Sequence, residues 1–334
     1  MAAAVYLRGT RRRRPWPLWR TAAFLLGLAA IGAALLGPIA DLAHDLFSVH
    51  MVQHMLLGTV AAPLLLVGAP VRPLLRGLPI AVRLGVVRPV VRVVALRRLV
   101  HLLRHPLVAG ALYVGGLYAW HVPALYDLAL QDELLHISEH SWFLVTALIF
   151  WSVVIDPEPF RATLPYPARI VYLLVAGAGQ NTILGGLLAF STRLLYRSYE
   201  GRPERYGLDA VTDQRVGGAI MWVPGDLIFF AAASLAFFHW LAAEEREQLA
   251  RERLASGPAE GPRATGSRSP GDRGDPGAWP PLSSGFMGRP RRSISKEGFG
   301  RAAKPGATSA SGATGRSSRS SRRRGRGSAS GSRA

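Results

Sequence analysis

Six stretches of at least twenty residues carry almost no charge, and together they restrict what this chain can fold into. A helix needs roughly 20 apolar residues to cross the hydrocarbon core of a bilayer. Backbone polar groups at that depth must be satisfied within the helix itself. Residues 21–40, 46–71, 105–126, 134–155, 170–192 and 216–243 are long enough, the fourth holding Glu139 and the sixth Asp226. A soluble bundle would show a polar face on every turn, and these windows do not. The sequence therefore predicts an all-α integral membrane protein with about six transmembrane helices.

Charge is concentrated between the windows, and it predicts an orientation. The first loop has Arg8, Arg11, Arg12, Arg13, Arg14 and Arg20 with no acid, and residues 72–104 hold eight arginines, again with no acid. The loop after the third window carries Asp127, Asp132 and Glu133 with no base. Arginine-rich short loops stay in the cytoplasm, so both termini are predicted to be cytoplasmic and the acidic loop outside. Loop 191–216 dissents with five arginines, although four acids accompany them. Residues 73–97 mix valine, leucine and arginine in clumps and read as one helix lying in the inner interface. A cleaved signal peptide at RRRR and the following apolar run is the rival reading of the first window. It is set aside because GPIADLA matches a cleavage site only loosely and the later spans need the first as a topological partner.

Three regions follow: a basic cytoplasmic segment (1–20), a transmembrane domain (21–243), and a cytoplasmic helical extension with a basic tail (244–334). The extension AAEEREQLARERLA places Glu and Arg one turn apart. The tail beyond it is rich in Gly, Ser, Arg and Pro, so it is predicted to be disordered. Nearly lacking aromatic rings for base stacking, it suggests contact with anionic lipid and no nucleic-acid partner.

Whole classes of chemistry are absent from the sequence. With no cysteine, disulfides, thiolate metal sites and cysteine nucleophiles are excluded. No phosphate loop, Gly-x-Ser-x-Gly elbow or His-Glu-x-x-His motif occurs, and the chain is not expected to be an enzyme.

The histidines carry what remains. Of nine, the predicted topology puts His101, His105 and His239 near the inner surface. His44, His50, His54, His121, His136 and His140 come from distant parts of the sequence yet share the outer leaflet. His50/His54 and His136/His140 are each spaced i,i+4, on one helix face. Met51 and Met55 flank the first pair, and Met221 joins from the sixth window. Imidazole suits late transition metals and thioether sulfur selects Cu(I), so these residues are candidate Cu(I) ligands. Glu139, one turn from His136, can orient an imidazole from behind. The plainer alternative is that the histidines are hydrogen-bonded packing residues, with Gln180 and Asn181 as interhelical glue. Asp226 is ionisable within a membrane span and a functional candidate for that reason.

The run FSVHMVQHMLLGTVAAPLLLVGAP (47–70) resembles the signature of the CtaG-type cytochrome c oxidase assembly proteins of bacterial plasma membranes. WHVPALYDLALQDELLHISEHSWFLVTALIFW (120–151), DQRVGGAIMWVPGDLIFF (213–230) and YLRGTRRRRPWPLWRTAAFLLG resemble it too, covering about residues 6–245. The resemblance implies an all-helical polytopic factor in the maturation of haem–copper oxidases, with copper delivery to the oxidase as the favoured role. Its partners would be oxidase subunits and other copper-delivery factors. By position, His50, Met51, His54, His121, His136, His140, Asp213 and Met221 fall in matching motifs, with Asp213 behind the ligands. Such proteins usually have one more span before the YLRG loop, which implies seven in a full-length relative against six here. A haem-binding electron-transfer protein and a metal-free assembly scaffold are the competing functions.

Topology is directly checkable. Reporter fusions after residue 130 are predicted to read outside and after residue 250 inside; the reverse pattern would invert the leaflet assignment.

Overall fold

The computed structural model describes residues 1–11, 16–156 and 158–255, all within one unit, Met1–Pro262. The basic tail beyond residue 255 lies outside the described residues. Helices α1 (Ala2–Thr10), α2 (Leu18–Leu35), α3 (Pro38–Ala43), α4 (Phe47–Val67) and α5 (Val71–Gly77) come first. Then follow α6 (Val94–Leu103), α7 (Pro106–Trp120), α8 (Pro123–Gln131), α9 (Glu133–Val154), α10 (Tyr166–Ala189) and α11 (Ala210–Ala255). Among the described residues, α2, α4, α9, α10 and α11 are long and apolar enough to cross a membrane, and α7 with α8 makes a sixth if that bent pair is one span.

The departures from the sequence windows have local causes. The third window was read as continuous to Tyr126, but the chain turns by 76° between α7 and α8. Pro123 disfavours helical backbone at Val122, which is extended (φ −63°, ψ 122°). The first window ends early because Gly37 adopts φ +75° ahead of Pro38. Residues 73–97 are helical but not one helix: Pro79 interrupts them, and Val93 is extended before α6. Helix α1, unforeseen, is anchored by Tyr6, whose hydroxyl donates to the Gly68 carbonyl at 2.8 Å and whose ring stacks on Phe24 at 4.0 Å. The extension after residue 243 does continue α11, which at 46 residues is about 69 Å long.

The bundle is apolar outside and polar inside. Leu107, Val145, Val175 and Leu227 are each more than half exposed, whereas His50, His54, Glu139, Gln180 and Asn181 are buried. A lipid solvent accepts that distribution and water does not. Helices α10 and α11 touch backbone to backbone, since a Cβ on Gly185 or Gly218 would strike the other helix. Helices α4 and α9 are tied where α4 widens into π-helix (Leu56–Ala61): the Trp151 indole N–H donates to the Gly58 carbonyl at 3.0 Å. That tie sets the register between the two histidine-bearing helices.

Ion pairs mark the two ends of the bundle. Glu158 takes Arg20 at 3.1 Å and Arg72 at 2.6 Å, and Arg104 donates to the carbonyls of Ser152 and Arg161. The arginine-rich segments therefore share one end. Loop 191–209 sits at the other, where Arg202 donates to the His44 carbonyl at 2.6 Å and Arg205 lies 3.9 Å from Asp45. The arginines of the dissenting loop are thus partly committed to structural contacts.

Candidate metal centre

The site begins at the first turn of α4. A helix start leaves N–H groups without partners, and Leu46 at the cap position has no side-chain oxygen to offer. Asp213, fully buried in the first turn of α11, supplies it. Its carboxylate accepts the Phe47 N–H at 2.6 Å, the Ser48 N–H at 3.3 Å and the Ser48 hydroxyl at 2.5 Å. A charged cap from a distant helix fixes the depth and rotation of α4, and with them the two histidines that follow.

Six imidazoles gather at this end of the bundle. His50 and His54 come from α4, His136 and His140 from α9, His121 from the end of α7, and His44 from the turn after α3. Ring centroids lie 4.4 Å apart for His50–His54 and for His136–His140, 5.2 Å for His50–His136 and His54–His140, and 6.2 Å for His54–His121. The Nε2 atoms of His50 and His54 face each other at 2.9 Å. Glu139 lies beside them, Oε2 3.9 Å from His50 Nε2 and Oε1 3.7 Å from His54 Nε2. Both His50 and Glu139 are 0% exposed. Two sets, His50/His54/His140 and His50/His136/Glu139, each offer three donor atoms within 4.8 Å of one another.

Hydrogen bonds around the cluster assign tautomers. The His121 Nδ1–H donates to the Leu117 carbonyl at 2.8 Å, which leaves a lone pair on its buried Nε2. Tyr199 donates to the Ala43 carbonyl at 3.0 Å, and burial holds this phenol well above its ordinary pKa, so it keeps that proton. Its oxygen is then an acceptor, and the His50 Nδ1–H donates to it at 2.9 Å, with the Tyr126 oxygen at 3.0 Å as a second acceptor. The His50 Nε2 therefore carries a lone pair directed at His54 and Glu139. An imidazole held by a hydrogen bond on its far nitrogen is how proteins prepare a metal ligand.

The donors fit a metal ion. His54 Nδ1, the Nε2 atoms of His121, His136 and His140, and both Glu139 oxygens are buried with no hydrogen-bond partner among the described residues. Each such atom costs about 1–3 kcal/mol if nothing satisfies it, more for a charged group. The methionines are placed differently. Met51 packs beside the Gly217 backbone in an apolar cluster with Phe47, Leu184, Leu188 and Met221, and the Met55 methyl lies close to Gly225 of α11. Asp213 touches the α4 backbone rather than an imidazole. Gln180 donates to its neighbour Asn181 at 2.5 Å, while the interhelical bond there is Thr182 to Asp226, also 2.5 Å. Sequence reasoning missed the tyrosines; the run Tyr196, Tyr199, Tyr206 in a charged loop was the available signal.

Residues 4–243 match the model of a protein family described as cytochrome c oxidase caa3 assembly factor. The chain belongs to that family. Uncharacterised proteins of Mycobacterium bovis and Mycobacterium tuberculosis are each 31% identical to this chain over 250 residues, 72% of this chain and 37% of theirs. One from Mycobacterium leprae is 31% identical over 263 residues, 75% of this chain and 38% of its own. The chain thus spans less than two fifths of these relatives. No solved structure matches it.

Asp213 gives the site its sharpest structural test. Asp213→Ala strands two buried N–H groups and a hydroxyl, and should cost roughly 2–4 kcal/mol. Asp213→Asn, which keeps an acceptor, should cost less. Unfolding in mixed micelles would measure both; equal stability of Asp213→Ala and the wild type would show that the cap does not hold α4.

Proposed function

We propose that this caa3 assembly factor holds copper in the histidine cluster and delivers it to the oxidase during assembly. The observation that carries the proposal is the convergence of His50, His54 and His136 on Glu139, with His140 against His50 and His54; Glu139 is a buried carboxylate with no hydrogen-bond donor among the described residues. A carboxyl group buried in this way either holds a proton or sits beside a cation, and the imidazole nitrogens around it supply ligands for the second case. In this reading neutral imidazoles supply most of the donors and Glu139 offsets charge, so a copper ion enters the bundle with little net charge left over. His121 stands at the rim of the set. Met51, Met55 and Met221 lie where α4 packs on α11, beside this set, and in this reading their thioethers would serve Cu(I) during transfer.

Imidazole ligands are exchangeable, which suits cargo rather than a resident cofactor. With both termini cytoplasmic, as the arginines predict, the cluster faces outward. There it would meet extracytoplasmic copper-delivery factors and, laterally in the bilayer, oxidase subunits. A haem fits poorly: axial ligands must stand on opposite sides of a wide macrocycle, and the His50 and His54 nitrogens are 2.9 Å apart on one helix face. A metal-free scaffold would have no use for six buried donors without partners.

Metal analysis of the purified protein tests this reading. The wild type should retain copper. His50→Ala/His54→Ala and His136→Ala/His140→Ala should each lose it by more than about 100-fold in affinity, beyond the 10–100-fold typical of losing an orienting partner. Tyr199→Phe, which removes only the acceptor behind His50, should weaken binding about tenfold. In cells carrying either double variant the oxidase should accumulate with haem but without copper. Folded double variants that bind copper as the wild type does would make the histidines structural.

A further inference from the structure

A cavity of about 600 Å³ opens beside the cluster, between the end of α2 with α3 on one side and the end of α8 with the start of α9 on the other. Its walls include Leu57 and Leu144, and its polar lining includes His44, Glu133, His136 and His140. The histidines along it are graded in burial. His44 is exposed and His136 half-buried, while His140 is 8%, His54 6% and His50 0% exposed. Their spacing leaves no gap: His44 to His136 is 5.4 Å between centroids, His136 to His140 4.4 Å, and His140 to His54 5.2 Å. Glu133, exposed at the first turn of α9, puts a carboxylate on the same cavity. The backbone that carries His44 is pinned from a third element, since Arg202 donates to its carbonyl.

We propose that His44 and His136 form a loading station on this cavity, from which a late-transition-metal cation passes inward to His50, His54 and His140. The inference rests on the metal-holding reading above and adds the route. Each step exchanges one neutral imidazole nitrogen for another on the same ion, so no bond outside the coordination sphere breaks and neither electrons nor protons are required. Glu133 draws cations to the mouth. His136 belongs to both stations, as its place in the His50/His136/Glu139 set requires. His44 belongs only to the outer one: it contacts His136, and it is absent from both compact donor sets.

The route separates rate from capacity. The full chain in detergent is mixed with Cu(I) held by a chromophoric chelator, and loss of the chelate's colour gives both the loading rate and the final stoichiometry. The wild type should take up copper rapidly. His44→Ala should reach the same stoichiometry at least about tenfold more slowly, because the first ligand at the mouth is gone and capture there governs the on-rate. Ala40→Trp touches no ligand but fills the cavity, and it should slow uptake similarly. Wild-type loading rates in either variant would overturn the route while leaving the metal site standing. Loss of stoichiometry in His44→Ala would make His44 a ligand of the inner site and overturn the loading station. If the wild type takes up no copper at all, the metal-holding reading fails and the route fails with it.

Discussion

Glu139 lies wholly buried at the histidine end of a helix bundle built for lipid, with imidazole nitrogens 3.7 and 3.9 Å from its oxygens and no hydrogen-bond donor on either among the described residues. Desolvating a carboxylate costs several kcal/mol even after a protein relaxes around it. A proton, hydrogen-bond donors or a cation must offset that cost, and the sequence supplies neither a lysine nor an arginine there. It supplies nitrogen donors instead, arranged around the carboxylate. Much of the surrounding architecture reads as a means of keeping those donors in place.

Three contacts do the holding, each from a different element. Asp213 of α11 caps α4 and so fixes where His50 and His54 fall. Trp151 of α9 reaches the π-helical stretch of α4, locking the second histidine pair against the first. Tyr199, from a loop between the last two spans, sets which nitrogen of His50 faces inward. Ligands held this way are preorganised, so binding an ion does not have to order them. The open side of the cluster lies toward the cavity with His44.

The fold was largely legible because bilayer thickness imposes a length that apolar windows reveal without any tertiary information. Its breaks were less so: the bend at Val122 follows from Pro123, a local signal, yet the window was read straight through it. The histidine grouping was legible for a related reason. Once spans alternate in direction, residues such as His50, His121 and His136 must share an end, whatever their separation in sequence. Side-chain direction is another matter. Helical phase puts Met51 and Met55 in an arc adjoining His50, but whether that arc faces α9 or α11 depends on how α4 is rotated. The rotation is set by Asp213, 163 residues after His50, and by the close approach at Gly217 and Gly225. No periodicity contains that information, and the same holds for Tyr199.

X-ray absorption at the copper edge of the loaded protein addresses the donor set itself. A site built on His50, His54, His136, His140 and Glu139 gives three or four nitrogen or oxygen scatterers at roughly 2 Å, the usual imidazole–metal distance, with the multiple-scattering pattern of imidazole rings and no sulfur shell. A dominant sulfur shell at about 2.3 Å, or a spectrum without imidazole scattering, would contradict it.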